Sequence, residues 1–228
     1  ALASALAPRC RVVLVEREAQ PGLHSTGRSA AMFMESYGSP QGRALTRASR
    51  GFYTAPPAGF AEAPIVSPRG ALYVGWAGQE ALLDAAEAQL RATGTAIERL
   101  DAAATLARVP VLRAEGLAGA LWEADAMDID VHALHQGYLR GARRAGAVLR
   151  CGAGLAAARR DGDAWTIELD DSRRLRTGAL VNAAGAWADE VALRCGSRAI
   201  GLQPCRRSAF TFDAPAGMDF RAWPLTGG

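Results

Sequence analysis

The chain has 228 residues, half of them hydrophobic and 21% charged, which gives it the length for one large domain or two small ones and the composition of a globular protein. Its formal net charge is +3 and all 26 basic residues are arginine, scattered without a basic run interleaved with aromatics, so there is no case for nucleic acid and a lysine Schiff base is excluded. Four cysteines (Cys10, Cys151, Cys195, Cys205) lie far apart without a C-x-x-C pair, and no apolar stretch approaches the ~20 residues needed to span a bilayer.

In chain order, the opening alanine- and leucine-rich stretch reads as the tail of an amphipathic helix ending near Ala7 and not as a signal peptide, which would need a basic start and more length. A strand follows over 11–16, then a loop and a short helix from Ser25. Pro40 at a first turn predicts a helix to about Phe52, closed by the Pro56-Pro57-Ala58-Gly59 cluster. A strand over 70–76 precedes a helix over 79–92 that ends at Gly94. Asp101 caps a short helix stopping before Pro110, and 117–122 is a strand. Asp130 caps a long helix over 131–145, terminated by Gly146. The stretches 149–160 and 164–170 read as a strand pair turning at Asp161-Gly162-Asp163. A short strand over 180–184 meets a glycine turn and a helix to about Cys195, and 206–213 closes as one more strand.

Two stretches carry the chemistry. Val12-Val13-Leu14-Val15-Glu16 is a buried parallel-strand pattern with a carboxylate at its tip, the position that accepts ribose hydroxyls in dinucleotide-binding folds. The following His24-Ser25-Thr26-Gly27-Arg28-Ser29-Ala30-Ala31 is a small, hydroxyl-rich turn suited to a phosphate. Elements between about 60 and 125 break a βαβ rhythm, so the fold class is α/β, a Rossmann-like dinucleotide-binding domain interrupted by a mixed α+β substrate domain. The boundaries fall at 1–60 and 130–200 for the nucleotide-binding parts, and at 61–129 and 201–228 for the substrate parts. His132 and His135 lack carboxylate or cysteine partners in a recognisable motif, so no metal is expected.

Together with Asp130-Val131-His132-Ala133-Leu134 and Val181-Asn182-Ala183-Ala184-Gly185-Ala186-Trp187, these stretches resemble the FAD-dependent D-amino-acid oxidase superfamily of the glutathione-reductase type, and within it the D-arginine dehydrogenase branch. Glu16 to Ala31, His135 to Gly141, Leu202-Gln203-Pro204 and Arg206 to Phe210 carry the closest likeness. The resemblance implies FAD, with Glu16 on the adenosine ribose and Arg17 along the adenine. It sets Ser25, Thr26, Arg28, Ser29, Ala30 and Ala31 against pyrophosphate and flavin. Ala183, Ala184 and Gly185 lie near the dinucleotide, Trp187 nearby, and Leu155 where adenine is clasped through backbone. It also implies that a strand with a Gly-x-Gly-x-x-Gly turn precedes Ala1 and a further portion follows Gly228, so the chain is expected to be a fragment.

Tyr37 and Arg207 match substrate contacts of that branch, an arginine fork being suited to an α-carboxylate, with Arg206 as fallback. Ala71 stands where the branch has a glutamate for the substrate guanidinium, and Met32 where it has a histidine, with Met34 facing the same region. Losing that counter-charge removes the preference for a cation, so the expected pocket is apolar and the substrate a neutral or hydrophobic D-amino acid. Hydride transfer to FAD would give an imino acid that hydrolyses to the oxo acid and ammonia, with dioxygen or a quinone as acceptor and no side chain acting as nucleophile. The alternatives are a glycine- or sarcosine-type amine oxidase and a non-catalytic cofactor-binding module. The expected location is cytoplasmic, with peripheral association at the inner membrane as the variant.

Overall fold

The computed structural model describes residues 1–206, 208–213 and 216–227, and two compact units are interleaved in the chain: residues 1–28 with 138–212, and residues 29–137 with 213–228.

In the first unit the strand Val13–Val15 pairs in parallel with Val148–Arg150, in the register Val13 to Val148. The helix Leu2–Leu6 and the later turns of Val131–Arg144 pack beside this pair through small residues, Ala7, Ala142 and Ala147 being buried. A Cβ on Gly141 would stand 2.6 Å from the Ser4 Oγ, so a larger residue there would require the Ser4 hydroxyl to turn away. An antiparallel three-stranded sheet, in the order Arg174–Thr177, Ala164–Leu169, Leu155–Asp161, buries Ala158, Ile167 and Leu169 against Leu180 and Cys195. Its first hairpin turns at Gly162, where φ is +57°, as the Asp-Gly-Asp signal predicts.

The second unit holds a four-stranded sheet in the order Leu225–Gly227, Ala71–Trp76, Leu117–Glu123, Glu98–Leu100. Residues of both central strands are buried on both faces: Leu72, Val74 and Ala120 face one cluster with Trp122 and Trp223, while Tyr73 and Leu121 face Leu83 and Leu90 of the helix Glu80–Ala92. A three-stranded antiparallel sheet runs Met32–Phe33, Met127–Ile129, Val66–Pro68. The two predicted caps are formed, Asp101 accepting from the Ala104 N–H at the start of Ala102–Arg108 and Asp130 from Ala133, and Ser39 adds a third, accepting from the Gly42 N–H at the start of Pro40–Thr54.

Three expectations are corrected. The single strand over 149–160 is two strands in different sheets, because Cys151-Gly152-Ala153-Gly154 breaks the run and Gly152 takes φ +61°. The stretch 180–184 joins no ladder, and Val181 is exposed. Residues 206 and 208–213 form no strand either; Phe210 and Phe212 alternate as a strand would but stand exposed.

Gly70 combines φ +75° with a Trp122 ring carbon 1.8 Å from where its Cβ would be. Gly70→Ala should therefore lower stability by about 2 kcal/mol or more. Gly51→Ala, in the open on the helix Pro40–Thr54, should raise it by about 1 kcal/mol. Urea midpoints of the two variants check this, and similar midpoints would contradict the assigned backbone.

Candidate functional site

Residues of the first unit converge at the carboxyl end of its parallel strand pair. The Glu16 N–H donates to the Arg150 carbonyl at 2.8 Å, and the Glu16 carbonyl accepts from the Ala153 N–H at 3.0 Å. Its carboxylate Oε1 accepts from the Glu18 N–H at 3.0 Å, which fixes the half-buried side chain at the strand tip. The Arg17 guanidinium lies over the Trp187 ring, 4.6 Å from its centroid, and the His24 ring tilts against the same tryptophan at 4.7 Å. His24 Nε2 is 2.9 Å from Glu18 Oε1, and Arg17 Nη2 is 3.2 Å from the same oxygen. The hydrogen bond with His24, then that with Arg17, outweighs burial and holds the Glu18 carboxyl below its ordinary range. His24 thus ties the loop together, a structural role the sequence signals only by proximity.

Ser25 and the 3-10 turn Thr26–Arg28 are exposed, and the turn folds back so closely that a Cβ on Gly27 would stand 2.4 Å from the Gly22 carbonyl. The Asn182 side chain braces the turn beyond 183: its Oδ1 accepts from the Ala184 N–H and its Nδ2 donates to the Ala188 carbonyl. Ala183 and Gly185 are exposed, Gly185 takes φ +56°, and open space surrounds the position of its absent Cβ. The Leu155 carbonyl is already engaged by Arg194 Nη1. Asp189, on the helix Ala188–Arg194, accepts from the N–H groups of Ile200, Gly201 and Leu202; those bonds hold its carboxyl below the ordinary range and fix the chain leading to Gln203. A carboxylate at a strand tip, a guanidinium beside it and a small-residue turn open to solvent fit the adenosine and phosphate portion of a dinucleotide.

The second unit contains a cavity of about 440 Å³. Ser29, Ala30, Ala31 and Met32 line one part of it; Arg69, Asp128, Asp130 and Leu225 are among the others. Of the expected substrate residues that are described, only Met32 lies on its wall. The described lining is mixed, with charges of both signs. Ala71 is 2% exposed and lies beside Leu225 in the sheet, Met34 is half-buried, and Tyr37 is 64% exposed. Arg207 lies outside the described residues, and Arg206 is exposed. Asp128 and Asp130, two apart at the end of a strand, carried a period-2 signal that sequence reasoning passed over.

Glu123 is the least expected group. It stands directly across the sheet from Ala71 and is 2% exposed. Its Oε2 accepts from the Ser36 hydroxyl and its Oε1 from the Glu35 N–H at 3.2 Å, while Tyr73 Oη is 2.7 Å from Ser36 Oγ. Arg43, also buried, donates to the Ser36 carbonyl at 3.4 Å, and Arg50 pairs with Glu35 at 2.6 Å. Burial pushes the Glu123 carboxyl up, against the opposing hydrogen bonds from Ser36 and Glu35.

The profile of the family described as FAD dependent oxidoreductase matches residues 1–226. Among solved structures, the chain is similar to glycine oxidase from Geobacillus kaustophilus, with TM-score 0.75 and 23% identity over 85% of this chain and 54% of that one. L-alpha-glycerophosphate oxidase from Mycoplasma pneumoniae with FAD bound gives TM-score 0.75 and 14% identity over 85% and 53%. Iminodiacetate oxidase from Chelativorans sp. BNC1 gives 0.69 and 20% over 98% and 62%. The chain therefore spans just over half the length of these structures, and the likeness is one of fold. Among the described residues no group of His, Cys, Asp and Glu could hold a metal ion, and no helix is long and apolar enough to cross a membrane.

The raised Glu123 carboxyl makes stability depend on pH. Folded chains keep a proton that unfolded chains release near the ordinary value of 4.5. The group's contribution is complete below that pH and is lost as pH rises through the folded value. Glu123→Gln should gain on the wild type across that window by at most about 1.4 kcal/mol per pH unit, read from unfolding midpoints at stepped pH. Parallel curves for the two proteins would overturn the assignment.

Proposed function

The chain belongs to the FAD-dependent oxidoreductase family, and from that premise we propose that it serves the oxidation of a neutral or hydrophobic D-amino acid. One observation carries the cofactor reading: Glu16, Arg17 and Trp187 meet at the end of a parallel strand pair, next to the open turn 183–185. In this reading Glu16 accepts the ribose hydroxyls, Arg17, resting on Trp187, lies along the adenine, and Leu155 adds a backbone contact. Ser25, Thr26 and Arg28 neutralise phosphate, while Ala183, Ala184 and Gly185 admit the dinucleotide closely. Ser29, Ala30 and Ala31 back the flavin end.

FAD, when bound, supplies the acceptor for the hydride on the substrate Cα. The chain's part is to orient the substrate. Met32 and Met34 offer adaptable apolar surface, Tyr37 a hydroxyl, and Arg207 a fork for the carboxylate. Ala71 brings no charge to the place where a cationic side chain would need one, and Glu123 across from it is buried, with its carboxylate held by Ser36 and Glu35. The imino acid then meets water and hydrolyses, and an external acceptor, dioxygen or a quinone, completes the cycle.

Anaerobic bleaching of the purified flavoprotein with D-leucine, D-methionine, D-arginine, L-leucine, glycine and sarcosine tests this. The two neutral D-amino acids should reduce the flavin with kcat/KM about 10-fold or more above D-arginine, the scale of one unpaired buried charge. Faster reduction by D-arginine sinks the substrate class. Preference for glycine or sarcosine would favour an amine oxidase instead, in keeping with the fold shared with glycine oxidase.

A further inference from the structure

The cavity of the second unit has a guanidinium, Arg69, and two carboxylates, Asp128 and Asp130, on its wall. Arg69 follows the strand Val66–Pro68, and its position is set by backbone: the Arg69 and Gly70 N–H groups both donate to the Ala126 carbonyl, at 3.2 and 2.8 Å. Asp128 comes from the neighbouring strand, opposite Ser67, and its Oδ2 takes Arg69 Nη1 at 3.2 Å. The Arg69 Nε is buried without a hydrogen-bond partner, although the side chain as a whole keeps 32% of its surface. A guanidinium has five donors in a fixed plane, and here one is oriented by a carboxylate while the side chain still reaches the cavity.

The charges select the ligand. A simple anion approaching Arg69 would meet Asp128 and Asp130, and a simple cation would meet Arg69. A zwitterion with a carboxylate and an ammonium a few ångströms apart satisfies both signs at once. The volume of about 440 Å³ is that of a small-molecule site, and Met32 and Leu225 supply apolar wall for a side chain.

We infer that Arg69, oriented by Asp128, receives the α-carboxylate of an amino acid in this cavity, with Asp130 giving the wall the negative charge that suits the α-ammonium. This rests on the reading of the protein as an amino-acid oxidoreductase and gives the second unit a carboxylate-binding residue of its own. Arg69 binds and positions; it transfers no proton.

The test compares D-leucine with D-leucinamide, which lacks the carboxylate charge, on the FAD-loaded full-length protein. The wild type should prefer the acid, and Arg69→Met should cut that preference by about 10- to 100-fold, the worth of a charge-assisted hydrogen bond, mainly through KM. Arg69→Lys keeps the charge without the fork and should recover part of it, and a matched melting temperature shows that it is folded. Equal losses on acid and amide in both variants, or no loss, overturn the inference. If the wild type oxidises no amino acid, the functional reading fails, and calorimetry with isocaproate and isocaproamide decides the site separately. Selective binding of isocaproate that disappears in Arg69→Met and returns in part in Arg69→Lys sustains the carboxylate site, and equal binding of the two probes, or selective binding that survives in Arg69→Met, ends it.

Discussion

The parallel pairing of Val13–Val15 with Val148–Arg150 is the contact on which the nucleotide-side geometry depends. It joins residues more than a hundred positions apart, and it sets Glu16 between the Arg150 carbonyl and the Ala153 N–H. A carboxylate held at the carboxyl end of a parallel strand is where a polar ligand can meet fixed hydrogen-bond partners without burying an unpaired charge. Everything nearby follows from that placement. Gly154 is buried where a Cβ would strike Asp170, so the chain passes close beneath Arg17, and Arg17 in turn rests on Trp187.

The second unit solves a different problem. Its central sheet is apolar on both faces, yet Glu123 is buried within it, and the cost is offset by Ser36, the Glu35 N–H and the Tyr73 hydroxyl. That network holds the segment following Met32–Phe33 against the sheet. On the neighbouring three-stranded sheet, Asp128 and Arg69 satisfy each other at the cavity wall. The buried acid therefore stabilises a segment, while the half-exposed ion pair remains able to meet a ligand.

Local signals were the legible part. The caps at Asp101 and Asp130 and the turn at Gly162 depend on residues within four positions of each other, and they stand as read. The place of Glu16 at a strand end was legible because an apolar run ending in an acid carries its pattern in sequence, although Val13 and Val15, read as buried, are exposed. Strands of two or three residues such as Met32–Phe33 and Val66–Pro68 were not, since pairing with Met127–Ile129 and not propensity creates them. Glu123 lies one residue past the predicted strand 117–122, and nothing local marks it, because its partner Ser36 is 87 residues away. The run 149–160 misled for the opposite reason: Leu149 and Leu155-Ala156-Ala157-Ala158 read as one strand, but Gly152 and Gly154 lie between them and the chain passes into a second sheet.

The account stands most directly on the Glu16 carboxylate, and the measurement that reaches it is the dissociation constant of FAD from the intact apoprotein and from Glu16→Ala, followed by flavin fluorescence. Loss of the charge-assisted bonds to the ribose should weaken binding by about 10- to 100-fold, with Glu16→Asp between the two. Affinity unchanged in Glu16→Ala would contradict the site, and with it the nucleotide-binding role of the strand that carries it.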